Sequence, residues 1–150
     1  MSTMFGMADG DPTPGLWNWA IGKRIDEDRV RGAIAGTLER SVVPLGADGM
    51  IMCDVYAVGG DFPTLADVYL APAEVAETTA ASAVAVRLDA AVLLPDEGLD
   101  PTRYVLAEPD GTLRPVHVDE IETDDGPERR GLRPCTGDDC DRTPDRPAAA

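Results

Sequence analysis

The chain has 150 residues, 43% hydrophobic and 27% charged, and 28 acidic against 13 basic residues give it a net charge of −15. A chain of this length makes about one domain with a real core, and this composition excludes wholesale disorder. The acidic surplus excludes simple electrostatic binding to DNA, RNA or anionic lipid, and no apolar run approaches the roughly 20 residues that span a bilayer.

Residues 1–15, with Gly6, Gly10, Pro12, Pro14 and Gly15, are expected to form a flexible arm. Met1 to Phe5 has neither a basic region nor an apolar stretch, so no secretion signal is expected. Leu16, Trp17, Trp19 and Ile21 follow. Two tryptophans beside a flexible arm need a surface to cover, either their own core or a neighbouring subunit, which makes Trp17 and Trp19 candidate interface residues. From Asp26 the pattern is helical: Val30, Ile34 and Leu38 form one stripe, Asp26, Glu27 and Asp28 suit the N-terminal end, and Arg40 suits the other. One amphipathic helix is predicted over about 26–40.

Strands are predicted after that. Val42 to Leu45, a turn over 46–49 and Met50 to Val58 read as a hairpin, and the second arm is apolar on both faces apart from Asp54, as a central strand would be. Leu65 to Leu70 is a short strand, and Pro72 to Ala81 a turn of helix or a loop. Val84, Val86, Leu88, Ala90, Val92 and Leu94 then alternate with Ala85, Arg87, Asp89 and Ala91, predicting one long strand with a wet face. Tyr104 to Glu108, the turn Pro109-Asp110-Gly111 and Thr112 to Ile121 make a second hairpin. Beyond Glu122 the chain is rich in Asp, Gly, Pro and Arg and is expected to be a solvated tail. No internal repeat is apparent. The expected architecture is α+β: a mostly antiparallel sheet or small β-barrel with one helix, the domain spanning 16–122 between an arm at 1–15 and a disordered acidic tail at 123–150.

No catalytic, cofactor or metal-ligating set emerges, so the expected protein is not an enzyme and needs no cofactor. Cys135 and Cys140 lack the second ligand pair of a zinc site, which leaves a reversible disulfide or no role; reduced thiols are the default without a secretion signal. His117, with Asp119 on the same predicted face, lacks a partnering nucleophile motif and reads as an ordinary strand histidine. Asp54, a carboxylate in an apolar strand, is expected to pair with an arginine such as Arg87 or to accept backbone bonds. Gly59-Gly60 lacks the pattern of a phosphate loop, and Asp119 to Asp125 lacks calcium-loop spacing.

The charge itself permits three readings: solubility, a match to a basic partner, or the lining of a passage through which DNA slides. Twelve of the basic residues are Arg and one is Lys23, which points to a GC-rich genome or to adaptation to salt.

Asp67-Val68-Tyr69-Leu70-Ala71-Pro72, the alternating stretch ending Val92-Leu93-Leu94-Pro95, the acidic loop through Gly98 and Asp100, and the Asp110-Gly111 hairpin resemble, in their order, the small head–tail joining proteins of long-tailed phages. The likeness is to stopper or head-closure proteins and less closely to tail terminators, and it covers roughly 65–121. It implies a non-enzymatic, ring-forming virion connector subunit, located in the virion or host cytoplasm, with itself or neighbouring virion proteins as partners. No site residue carries over. The alternative is an acidic cytoplasmic binding module, such as an immunity protein or inhibitor, occupying a basic site on a partner protein. Neither reading involves a membrane or sequence-specific nucleic-acid binding.

Overall fold

A computed structural model describes residues 15–44, 51–95 and 102–135. They form eight strands and two helices: β1 (Gly15–Ile21), α1 (Glu27–Leu38), β2 (Val42–Pro44), β3 (Ile51–Ala57), β4 (Thr64–Ala71), α2 (Glu77–Leu88), β5 (Val92–Pro95), β6 (Arg103–Ala107), β7 (Leu113–Thr123) and β8 (Gly126–Pro134). One sheet holds all the strands, in the order β2-β3-β4-β1-β5-β6-β7-β8. Every pair is antiparallel except β2–β3. The class is α+β, as the sequence suggests, but the sheet is open rather than closed into a barrel, and the described residues hold two helices rather than one.

The first helix has its expected causes. Asp26 accepts a hydrogen bond from the backbone N–H of Asp28 at 3.0 Å, satisfying one of the donors a helix start leaves unpaired. Glu27 and Asp28 sit in the positive first turn, and Val30, Ile34 and Leu38 are buried. The chain leaves α1 through Glu39 in the left-handed conformation (φ 57°).

Three expectations are overturned. The long strand over 84–94 does not exist: residues up to Leu88 form α2, and only Val92–Pro95 is extended. Ala80, Ala81, Val84, Ala85 and Leu88 lie on one buried face, a spacing of three and four that the alternation of Val84, Val86 and Leu88 disguises. The first hairpin is not one either, because β2 runs parallel to β3, with Val42 opposite Ile51. Finally, residues 126–134 are not tail but strand β8, paired along β7 through a turn at Asp124-Asp125. Residues 136–150 of the predicted tail and 1–14 of the predicted arm lie outside the described residues.

The helices also expose a repeat that the sequence conceals. A shift of 50 residues carries α1 (27 to 38) onto α2 (77 to 88) and the start of β2 at Val42 onto that of β5 at Val92. At this shift Ile25 matches Val75, Glu27 Glu77, Ile34 Val84, Leu38 Leu88 and Val55 Val105. The buried positions Val30, Arg31, Ile34 and Leu38 fall on Ala80, Ala81, Val84 and Leu88. Both helices end on an acidic residue in the left-handed conformation, Glu39 and Asp89, whose N–H bonds back to Ala35 and Ala85.

In the strands the match passes through a bulge. Trp17, Trp19 and Ile21 correspond to Ala66, Val68 and Ala71, the extra residue being Leu70 at φ 62°. Strands β1 and β4 are neighbours, with Trp17 opposite Val68, Asn18 opposite Asp67 and Trp19 opposite Ala66. Their ladder therefore has an approximate two-fold axis through the Asn18–Asp67 pair. Beyond that pair the halves diverge, since β5 pairs antiparallel with β6 where β2 is parallel to β3.

Two cores result. Helices α1 and α2 cover one face of the sheet over Trp17, Trp19, Ile21, Val68, Val92 and Leu94. On the other face the sheet curls over itself, enclosing Ala20, Val58, Phe62, Leu65, Leu93, Tyr104, Leu106, Val116 and Val118. The curl brings β8 against the β3–β4 turn, where Gly60 bridges Arg129 and the N–H of Asp61 donates to the Arg129 carbonyl at 2.9 Å. Gly59 and Gly60 permit this approach. A Cβ on Gly59 would run into a Glu128 carboxylate oxygen, and Gly60 has φ +85°, where an added Cβ would lie 3.0 Å from the Arg129 carbonyl oxygen.

A candidate site in the concave face

The curl leaves a cleft of about 350 Å³ between the two limbs of the sheet. Its floor is the face of β3, β4 and β1 turned away from the helices. Because alternate residues share a face, register sets three rows across these strands: Met52, Tyr69 and Leu16; Asp54, Asp67 and Asn18; Tyr56, Leu65 and Ala20. The opposite wall comes from Tyr104 on β6, Glu120 on β7, and Pro127 and Arg129 on β8.

Two tyrosine–carboxylate pairs face each other here. The Tyr56 hydroxyl donates to Asp67 Oδ2 at 3.2 Å, and Asn18 Nδ2 donates to Asp67 Oδ1 at 2.8 Å. Across the cleft the Tyr104 hydroxyl donates to Glu120 Oε1 at 2.9 Å. Burial first, and then the Asp67 carboxylate, push the Tyr56 phenol up to about 12. Tyr104 is raised by burial and by its bond to Glu120. Both phenols therefore stay protonated as donors at neutral pH, the reverse of what a phenolate base needs.

Arg129 is the cation between the pairs, and its charge opposes the rise at both tyrosines. The guanidinium lies 5.9 Å from the Tyr104 ring centroid, and its Nη2 is 3.8 Å from Glu120 Oε1, too far for a hydrogen bond. Its Nη1 is buried without a partner. Among the described lining residues Asp67 and Glu120 set two negative charges against this single positive one, and Asp54, half-buried, lies opposite Asp67 in the ladder. The cleft is thus short of positive charge and presents aromatic rings beside carboxylates, which suits a cationic group.

Of the residues singled out from sequence, Trp19 lines the cleft and Asp54 lies beside Asp67 at its edge, while the others fall elsewhere. Trp17 and Trp19 stack with centroids 5.2 Å apart, and Trp19 Nε1 donates to Glu77 Oε2 at 3.0 Å. At 7% and 2% exposure they lie in the chain's own core, one of the two surfaces that the sequence left open for them, and have almost no area to offer as the candidate interface residues. Asp54 does not pair with Arg87, which lies on α2 and donates to the Gly36 carbonyl. His117 Nδ1 is 3.0 Å from Thr102 Oγ1, while Asp119 is taken by Arg133 at 3.1 Å. Cys53 is a buried free thiol, pushed up to about 12 chiefly by desolvation, and so is a poor nucleophile. Cys135 is disulfide-bonded; Cys140 lies outside the described residues.

Sequence reading missed Tyr56, Asp67, Tyr104, Glu120 and Arg129. The alternation of Asp54 with Tyr56 places both on one strand face, and that was the available signal. Among the described residues no group of three or more His, Cys, Asp or Glu is placed to hold a metal ion, and no helix is long and apolar enough to cross a membrane. Neither a family model, nor a curated protein, nor a solved structure matches the chain.

Proposed function

We propose that this chain is a non-enzymatic binding protein that occupies a basic site on a partner protein, using the concave face to receive a cationic side chain. One observation carries this reading: the paired tyrosine–carboxylate cleft, short of positive charge, on a protein of net charge −15. The wider acidic field would speed encounter with a basic surface, and the cleft would supply the specific contact. The test is to identify the bound protein by cross-linking in the native source and then to titrate it with purified chain. Asp67→Asn and Glu120→Gln should each weaken binding by about tenfold or more, with the wild-type affinity falling as salt rises. Unchanged affinity in both variants would remove the cleft from the interface.

The open sheet favours one further reading, a ring-forming subunit of an assembly such as a virion head–tail connector, because its edge strand β2 offers backbone for pairing with a neighbour. The β6–β7 hairpin and the acidic surplus support it. Against it, α2 stands where the likeness expects a long strand, and the tryptophans are spent on the core. Co-sedimentation with particles from the native source would favour this reading, and one-to-one capture of a basic partner would favour the other.

A further inference from the structure

We propose that Arg129 is a resident occupant of the cleft, standing in for the guanidinium of a partner's arginine, and that binding exchanges one for the other. This rests on reading the concave face as the docking site for a basic partner, and it names both the group received and the contact that holds the site closed.

The strand that carries Arg129 is fixed, but its head group is incompletely satisfied. Backbone contacts with Gly60 and Asp61 lock β8 in place. The guanidinium is held by a side-chain hydrogen bond with Tyr104 and by that ring's face, but it makes no hydrogen bond to Glu120 and leaves Nη1 buried and unpartnered among the described residues. Nearby arginines on the same strand do better: Arg133 reaches Asp119 at 3.1 Å, and Arg130 Nε reaches Glu128 at 3.0 Å. Arg129 therefore lines the cleft with its donors only partly satisfied, and β8 is held in place by its backbone rather than by this side chain.

A guanidinium arriving from outside is not tied to the β8 backbone. It can lie flat on the Tyr104 ring and present parallel N–H groups to the Glu120 carboxylate, a geometry that a lysine ammonium cannot reproduce. The departing Arg129 side chain regains water. Because only molecules with Arg129 displaced are competent to bind, the resident arginine lowers the apparent affinity by that fraction.

The probe is N-acetyl-arginine amide, titrated calorimetrically into the full chain, with N-acetyl-lysine amide for comparison. Arg129→Gln should bind the arginine probe about tenfold more tightly than wild type and prefer it to the lysine probe. Glu120→Gln should lose binding. Arg129→Met serves as a second variant should Arg129→Gln unfold, and circular dichroism reports folding for each. Binding by wild type that either Arg129 variant leaves equal or weakens would overturn the displaceable occupant while sparing the docking site. Absence of binding in wild type and in every folded Arg129 variant would overturn the docking reading itself, and this inference with it.

Discussion

The part of the molecule up to Ala107 and the β7–β8 ribbon are held together by different forces. In the first, two helices lie on six strands, and Ile21, Val30, Ile34, Val68, Val84 and Val92 are fully buried. In the second, Val116 and Val118 are buried, while β8 has no buried residue at all. The ribbon instead relies on its backbone ladder, on cross-strand pairs such as Arg133–Asp119 and on the contact of β8 with Gly60. Apolar burial scales with area and is not screened by salt, whereas exposed ion pairs are individually weak and screened. Stability should therefore come from the first region and adjustable binding from the second, where Glu120 and Arg129 reside.

The sharpest break of this contrast is Trp19→Ala. Removing a ring that is 2% exposed and stacked on Trp17 should cost about 3–5 kcal/mol, measured by urea denaturation. A loss no larger than that of an exposed residue would place the core elsewhere. Truncation after Pro127 should cost less, about 2 kcal/mol, because it removes hydrogen bonds but almost no buried apolar area. The remaining chain should still unfold cooperatively. Collapse of the whole domain would show that β8 belongs to the core.

Alkaline pH probes the seam between the regions. Tyr56 has its folded pKa at about 12 against an ordinary 10.0, so its neutral form favours the native state. That contribution is complete below pH 10 and is lost as pH climbs toward 12, and the raised Tyr104 acts in the same direction. Melting temperature should fall over this window, and less steeply in Tyr56→Phe. An equal slope in the variant would mean that burial of the phenol does not matter. The smallest effect is a gain. Glu39→Gly relieves a left-handed residue at the C-terminal end of α1 and removes a negative charge from the negative end of the helix dipole. It should stabilise by about 0.5–1 kcal/mol, read as a rise in urea midpoint. Destabilisation would show that the Glu39 side chain makes an essential contact.

The same contrast explains which elements the sequence discloses. Helix α1 is legible because Asp26 caps it and a charged face opposes an apolar one. Helix α2 begins at Ala76 with no side-chain cap, and its alanines blur the two faces. A period of two and a period of 3.6 then fit Val84 to Leu94 about equally well. The high helix propensity of alanine was the argument available for choosing between them. Strand β8 has no apolar alternation because it buries no apolar side chain, so composition made it a tail. Of the site, only Trp19 in its lining and Asp54 at its edge drew attention. Tyr104, Glu120 and Arg129 meet because the sheet curls, and that depends on Gly59 and Gly60 admitting β8, a tertiary contact without a local signature.

The axis through Asn18 and Asp67 has a chemical consequence. Two identical polypeptides related by that two-fold would have to place the same residue on both sides of it, either two aspartates in repulsion or two asparagines without charge. Joined in tandem, the halves are free to differ. One here supplies an amide donor and the other a carboxylate acceptor 2.8 Å away, so a position that symmetry would have kept uniform has become polarised on the floor of the cleft.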